Sequence, residues 1–171
     1  MQAALDSTTA ENRLLELLAE MTTAEKVGQL CLVNGSGGHV SDVLRQSIST
    51  GGVGAVLNEV EPHVIDELQH IAVYDSRLGI PLLIGRDVIH GFRTIFPIPL
   101  GQAATWNPDL VRDCARASAT EAASAGINWT FAPVVDIGRD PRWGRIAETL
   151  GEDPHLASRL AVAMMTGFQD R

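Results

Sequence analysis

Apolar residues along the chain follow two alternating patterns. Short continuous apolar runs predict four β-strands, at 29–34, 53–58, 80–85 and 127–137. In the longer segments between them, apolar residues recur every three or four positions. This spacing predicts helices at 10–21, from Ser41 to Gly51, at 62–78, from Asn107 to Gly126 and at 153–170. Because the strands are continuously apolar, we expect them to be buried on both faces of a parallel sheet.

Residues with strong capping preferences mark the starts of several helices. Thr22 and Glu25 have the spacing of a capping box. Ser41 and Asn107 are placed to cap the helices that follow them, and Pro108 lies at a first helical position. The expected apolar faces comprise Leu14, Leu15, Leu17, Leu18 and Met21 on the first helix and Val64, Ile65, Leu68, Ile71 and Ala72 on the third.

Four successive strand–helix units permit two architectures, an open doubly wound sheet or half of an eight-stranded β/α barrel. In a barrel, functional side chains gather at the carboxyl ends of the strands. The sequence GRD follows the third strand, and DIGRDPRWGR follows the fourth. We therefore predict an α/β fold in which about four βα units form the N-terminal half of a (β/α)8 TIM-type barrel. We expect one domain over residues 1–171, with a helical lead-in at 1–25.

Composition and charge argue against several classes of partner. The net charge of −8 and the pI of about 5.0 disfavour nucleic acid, which needs a basic surface. No apolar run approaches the roughly 18 residues that cross a bilayer, so no membrane partner is expected. The N-terminus does not resemble a signal peptide, although a leader removed earlier would leave no trace. Cys31 and Cys114 are expected to be free, buried thiols, and the histidines lack metal-ligand spacing, so no cofactor is expected.

Asp87 is the first residue whose position indicates chemistry. It follows the third predicted strand, where an ionised carboxylate can accept hydrogen bonds from two neighbouring sugar hydroxyls. The alternative is that Asp87 caps the following turn or pairs with Arg86.

The NGSGG loop at 34–38 lacks the Lys and the spacing of a phosphate-binding loop, so a nucleotide-binding domain is the least favoured interpretation.

The segment after the fourth strand is unusually rich in charge. It contains the following arginines and carboxylates: Arg139, Arg142, Arg145, Asp136, Asp140, Glu148, Glu152 and Asp153. Such density predicts a network of bidentate ion pairs that fixes a long loop, with one guanidinium left to donate to two sugar hydroxyls. Trp143 is either a sugar platform or packed on the loop. His90 permits two interpretations. It acts as a general base or metal ligand, or it has a structural role and bonds to the backbone of a turn.

Taken together, these motifs resemble the N-terminal domain of glycoside hydrolase family 3, of the bacterial β-glucosidase type. The resemblance extends from about residue 10 to residue 171 and comprises MTTAEKVGQL, GIPLLIGRDVIHGFRTIFPIPLGQAATWNPDL, AGINWTFAPVVDIGRDPRWGRIAETLGEDPHL and MTGFQD. It implies a β/α barrel with a second α/β domain. It also implies hydrolysis of terminal β-glucosides through a covalent glycosyl-enzyme, with retention of configuration.

The resemblance also implies roles for individual residues. Asp87, in the family's D-x-x-H-G motif, and Arg145, the last residue of PRWGR, correspond to residues that bind the sugar. The other motif residues are expected to be structural: His90, Arg139, Asp140, Arg142, Trp143 and Glu148. The family's Lys-His pair, nucleophilic Asp and acid/base Glu have no counterpart here, so we expect no catalytic residue in these 171 residues and no activity from them alone.

The expected partners follow from this interpretation. They are a β-glucoside or oligosaccharide substrate, together with either a second copy of the chain or the remainder of the barrel and its second domain. Two alternatives stay open, a non-catalytic sugar-binding or assembly module and a β-N-acetylglucosaminidase of the same family.

Overall fold

A computed structural model describes residues 7–35 and 37–169 of the chain. Residues 1–6 of the predicted lead-in and residue 170 of the last predicted helix lie outside the described residues. The chain divides into two compact units, Met1–Leu83 and Ile84–Arg171. Both units alternate strands with helices, as the sequence pattern predicts.

In the first unit, two helices precede the first strand. The elements are α1 (Ser7–Glu20), α2 (Thr23–Gln29), β1 (Leu32–Asn34), α3 (Asp42–Ser49), β2 (Ala55–Leu57) and α4 (Pro62–His70). A π-helical turn over Ile71–Asp75 extends α4, so the helix predicted over 62–78 ends slightly early. Strands β1 and β2 are parallel, with Leu32 opposite Ala55.

The core of the first unit is formed by side chains of α3, β2 and α4. All five residues predicted to face inward from the third helix are buried, namely Val64, Ile65, Leu68, Ile71 and Ala72. A Cβ added at Gly28 of α2 would lie 2.0 Å from the carbonyl oxygen of Gly51, so the two backbones are in direct contact. The apolar face predicted for α1 is present but not covered, since Leu14, Leu15 and Leu18 are exposed.

The predicted capping box begins α2 and is joined to a distant arginine. The Thr22 hydroxyl accepts a hydrogen bond from the Glu25 N–H at 3.2 Å, and Glu25 Oε2 accepts one from the Thr22 N–H at 2.8 Å. The same carboxylate accepts two hydrogen bonds from the Arg77 guanidinium, at 2.9 and 2.6 Å. These bonds, with Arg77 contributing most, lower the pKa of Glu25 to about 2. Ser41 caps α3 as predicted.

Strand β3 (Leu83–Arg86) leads into the second unit. The following elements are α5 (Pro99–Ala103), α6 (Pro108–Ser124), β4 (Trp129–Thr130), a 3₁₀ turn (Ile146–Glu148) and α7 (Pro154–Gln169). Strands β3 and β4 are parallel, with Gly85 opposite Trp129. The Asn107 side chain caps α6 as predicted, accepting hydrogen bonds from the next helical N–H groups at 3.1 and 3.2 Å.

Helices α6 and α7 pack along one another and form the core of the second unit. The buried side chains of this core are Ala103, Val111, Ala115, Leu150, Ala157, Leu160 and Met164. A Cβ on Gly167 would lie 2.3 Å from the carbonyl oxygen of Arg112, so the absent side chain allows this close approach.

The strand pairs are parallel, β1 with β2 and β3 with β4, as the sequence pattern predicted. The strands are shorter than predicted, and the fourth is reduced to two residues because Pro133 soon follows and has no N–H for a ladder. Leu32 and Leu83 are exposed, so burial on both faces is incomplete. A short helix that the sequence analysis did not predict, α5, begins at Pro99.

Two smaller expectations concern the membrane and the thiols. Within residues 7–35 and 37–169, each helix is too short or too polar to cross a lipid bilayer. Cys31 and Cys114 are free, as predicted, but half-buried rather than fully buried.

Candidate functional site

Asp87 lies directly after β3, at the carboxyl end of the strand. Ile84 and Gly85 are buried, whereas Asp87 is exposed. The backbone at Gly85 passes close to Phe131, because a Cβ added there would lie 3.3 Å from two ring atoms. The Asp87 carboxylate has no hydrogen bond or ion pair with any residue that the structure describes. Both of its oxygens can therefore accept hydrogen bonds from a ligand.

A short hairpin follows Asp87 and is fixed from two sides. Within the hairpin, Gly91 and Ile95 form an antiparallel bridge, and His90 Nδ1 lies 3.0 Å from the carbonyl oxygen of Phe96. Glu121 of α6 accepts hydrogen bonds from the N–H groups of Arg93 and Thr94, at 2.9 and 2.8 Å, and from the Thr94 hydroxyl at 2.6 Å. These bonds, those from Thr94 first, lower the pKa of Glu121. The carboxylate thus holds the hairpin onto α6.

Arg145 and Glu148 form a bidentate ion pair at the start of the 3₁₀ turn. Arg145 Nε lies 3.1 Å from each carboxylate oxygen of Glu148, and Nη2 lies 2.6 Å from Oε2. The pair faces water, with the Arg145 side chain 62% exposed and that of Glu148 30%. Glu148 thereby fixes the plane of the guanidinium but engages neither hydrogen of Nη1, which point away from it.

Asp87 and Arg145 lie within electrostatic range of one another. The hydrogen bond with Glu148 is the main cause that raises the pKa of Arg145, and the charges of Asp136 and Asp87 add to it. Reciprocally, Arg145 lowers the pKa of Glu148. The structure therefore brings the two predicted sugar-binding residues into one region, with Arg145 held by a carboxylate that sequence reasoning had assigned to the scaffold.

A cleft of about 380 Å³ opens beside Asp87. Its polar lining comes from Arg86, Asp87, His90 and Glu148, and its apolar lining includes Phe92, Ile95 and Ile98. Such a mixture of apolar walls and a few convergent polar groups is typical of small-molecule sites. Within the described residues, no group of three or more His, Cys, Asp or Glu could hold a metal ion.

The predicted ion-pair network is smaller than the sequence suggested. Arg142 makes bidentate contact with Asp140, at 2.9, 3.2 and 2.7 Å, and lowers the pKa of that carboxylate. Arg139 has no side-chain hydrogen bond or ion pair among the residues that the structure describes. The loop thus contains two separate arginine–carboxylate pairs rather than a connected network. Trp143, which lies between the two pairs in the sequence, is 38% exposed.

Glu59 is a polar residue that the sequence analysis did not single out. It follows β2 as Asp87 follows β3, yet it is 1% exposed. Its Oε1 accepts hydrogen bonds from the N–H groups of Val60 and Glu61, at 3.1 and 3.3 Å, whereas Oε2 is buried without a partner among the described residues. Its place directly after an apolar strand was the signal that could have identified it.

In the second unit, the parallel strands β3 and β4 place the free carboxylate of Asp87 directly after β3, and barrel-type enzymes carry their active-site residues at such strand ends. The model for the glycosyl hydrolase family 3 N-terminal domain matches residues 22–171, and the chain belongs to this family of glycoside hydrolases.

The chain is similar to several β-glucosidases. It is 45% identical over 156 residues to the periplasmic β-glucosidase of Salmonella typhimurium. This match covers 91% of the present chain and 20% of the Salmonella protein. The solved β-glucosidase of Listeria innocua superposes with a TM-score of 0.81 at 36% identity, covering 93% of this chain and 23% of that one. A β-glucosidase of intestinal bacteria involved in saponin metabolism gives a TM-score of 0.75 at 43% identity, covering 92% and 20%. The chain thus spans about a fifth of the length of these relatives.

Proposed function

We propose that this domain binds the terminal non-reducing glucosyl residue in a retaining, exo-acting β-glucosidase. The observation that carries the proposal is that Asp87 and Glu148, the carboxylate that holds Arg145, line the same cleft. Asp87 offers two free carboxylate oxygens, and Glu148 holds the Arg145 guanidinium with Nη1 directed away from the ion pair. One group accepts hydrogen bonds and the other donates them, which suits adjacent sugar hydroxyls.

The contribution of these residues to hydrolysis is to bind and orient the sugar. The two reacting carboxyl groups of a retaining glycosidase, a nucleophile and an acid/base, lie outside these 171 residues in this proposal. Asp87 and Arg145 accelerate the reaction to the extent that their hydrogen bonds tighten as the sugar ring flattens towards the transition state.

Two further motif residues support this pair. His90 stays bonded to the Phe96 carbonyl within the hairpin, and Glu148 orients Arg145. Asp140 and Arg142 pair with one another on the exposed loop that precedes Arg145 and do not position it. In this proposal none of these four residues reacts with the substrate.

The strand edges support a proposal about partners. Among the residues described, β1 is paired with β2 alone, so one of its edges presents free N–H and C=O groups. Unpaired edges recruit further strands. We therefore expect the 171-residue chain to pair with a second copy or with the remainder of a barrel. Size-exclusion chromatography with light scattering tests this, and a stable monomer would contradict it.

Calorimetric titration of the 171-residue chain with D-glucose tests the binding proposal. Asp87→Asn and Arg145→Gln each remove a charged partner of the hydroxyls, so each should weaken glucose binding by about tenfold or more. The matched controls are Asp66→Asn and Arg159→Gln, which change exposed charges elsewhere and should leave the affinity unaltered. Equal affinity in all four variants would contradict the proposal.

Kinetics of a longer protein that contains this domain test the catalytic part. Asp87→Asn should lower kcat/KM for nitrophenyl β-D-glucoside, with a larger effect on kcat than on KM if the bond tightens in the transition state. The corresponding N-acetylglucosaminide should be a poor substrate. Preference for the N-acetylglucosaminide would favour the β-N-acetylglucosaminidase alternative instead.

A further inference from the structure

The second unit contains another cleft, of about 660 Å³, on the other side of the 3₁₀ turn. Ile146 of the turn and Thr149, which follows the turn, line this second cleft, whereas Ala147 and Glu148 line the cleft beside Asp87. Residues three apart share one side of a 3₁₀ turn, so a single turn separates the two clefts. No residue lines both.

An exposed tryptophan forms part of the wall of the second cleft. Trp106 is 73% exposed, although indole rings are usually buried in folded proteins. Its backbone has φ of 54°, a conformation that non-glycine residues rarely adopt. Strained residues persist only where the surrounding structure holds them in place, and they are found most often at active and binding sites. Here the Trp106 N–H donates to the Ala103 carbonyl at 3.0 Å, which ties the strained residue to α5.

Two charged side chains without partners among the described residues line the same cleft as the indole. The side chains of Arg139 and Glu152 line the cleft and make no hydrogen bond with any of the residues described. Asp153 uses Oδ1 to accept from the Leu156 N–H at 2.7 Å at the start of α7. Leu100 and Leu156 supply apolar lining. The cleft therefore offers a guanidinium and carboxylates beside a flat aromatic face.

We propose that this second cleft binds a neutral saccharide, with the Trp106 indole stacked on a pyranose ring. The C–H groups on one face of a pyranose are apolar and match the indole, while Arg139 and Glu152 bind the hydroxyls at the ring edge. Carboxylates at the rim disfavour an anionic ligand, and an apolar ligand would leave both charged side chains unsatisfied. The choice of a glucose-based saccharide rests on the proposed function of the domain.

Calorimetric titration of the 171-residue chain with cellotetraose tests this site separately from the first. In a variant with Asp87→Asn and Arg145→Gln, cellotetraose should still bind. Adding Trp106→Gly to that variant should weaken the remaining binding by about tenfold or more. Glycine accepts the positive φ, so this substitution removes the ring without straining the backbone. Trp106→Phe, which retains a smaller aromatic face, should restore part of the affinity.

The matched control is Tyr74→Ala, which removes an aromatic ring that is 74% exposed and belongs to the first unit. It should leave cellotetraose binding unchanged. Loss of all binding in the Asp87→Asn, Arg145→Gln variant would overturn the second site while supporting the first. Unchanged binding after Trp106→Gly would also overturn it. Binding that survives Asp87→Asn and Arg145→Gln but fails with Trp106→Gly supports the second site, and the glucose titrations judge the first independently.

Discussion

Two arginine–carboxylate pairs in this molecule share their geometry but differ in their surroundings. Arg77 bonds to Glu25 at 2.9 and 2.6 Å in the first unit, and Arg145 bonds to Glu148 at 3.1, 3.1 and 2.6 Å in the second. The Glu25 side chain is 11% exposed and also accepts from the Thr22 N–H and hydroxyl. Arg145 and Glu148 face water, and the charge of the unpaired Asp87 carboxylate acts on Arg145.

The difference shows what distinguishes a structural ion pair from one that can bind a ligand. The pair at Glu25 joins the capping box of α2 to a residue 52 positions away, so its hydrogen bonds hold distant segments together. The pair at Arg145 spans three positions and holds little besides its own turn. Its effect is to orient a guanidinium, and an oriented donor is the requirement for binding hydroxyls.

The largest expected effect is a loss of stability at Gly28, because the backbone around Glu25 is more tightly packed than the backbone around Arg145. Gly28 lies three residues after Glu25, and an alanine there would place Cβ 2.0 Å from the Gly51 carbonyl oxygen, a backbone atom that no side-chain rotation can move. We expect Gly28→Ala to lower the free energy of unfolding by about 1–3 kcal/mol. The midpoint of urea unfolding measures the change.

Gly144→Ala is the matched control for that prediction. Gly144 precedes Arg145 and has no atom within 4 Å of an added Cβ, so the change should stay within about 0.5 kcal/mol. If the two alanine variants unfold at the same urea concentration, the region of Glu25 is not the more tightly packed of the two.

The second prediction concerns acid stability. The folded-state pKa of Glu25 is about 2, below its ordinary value of 4.5. Between these values the unfolded chain binds more protons than the folded one, so stability falls as the pH falls. The stability advantage over a Glu25→Gln variant should be constant above about pH 5 and should shrink between about pH 4.5 and 2.

Urea unfolding measured across that pH range provides the check. Glu16→Gln, on the exposed surface of α1, should follow the unaltered protein at every pH. A stability difference between the protein and Glu25→Gln that stays constant down to pH 2 would show that the ion pair does not lower the pKa of Glu25 as described.

The comparison also explains which features the sequence could predict. Thr22, Ser41 and Asn107 act through neighbours two or three positions away, so their capping roles were visible as spacing. The pairing of Glu25 with Arg77 was not visible in the sequence, because the tertiary fold brings together two residues that are 52 positions apart. The same limit applies to Arg139, which sequence reasoning placed in the ion-pair network. The sequence shows many charged residues near Arg139, but the path of the loop decides which of them form ion pairs.

Glu148→Gln is the third prediction and should separate binding from stability. Glutamine keeps the shape but loses the charge-assisted hydrogen bonds, so Arg145 becomes less firmly oriented. We expect glucose affinity to fall by roughly threefold and the thermal midpoint to stay unchanged, because an exposed ion pair contributes little to stability. Glu25→Gln should show the opposite result, a lower midpoint with unchanged affinity. Similar behaviour of the two variants would remove the distinction between the two pairs.

The smallest effect is expected at a third pair, Arg142 with Asp140. Its bidentate geometry matches that of Arg145 with Glu148, but the Arg142 side chain is 89% exposed and does not line the cleft beside Asp87. Arg142→Gln should therefore change neither the thermal midpoint nor the affinity for glucose. If it weakens glucose binding as much as Arg145→Gln does, the affinity depends on the total charge of the loop. The fixed position of the Arg145 guanidinium would then not determine glucose affinity. The distinction between a ligand-binding pair at Arg145 and a structural pair at Arg77 and Glu25 would no longer hold.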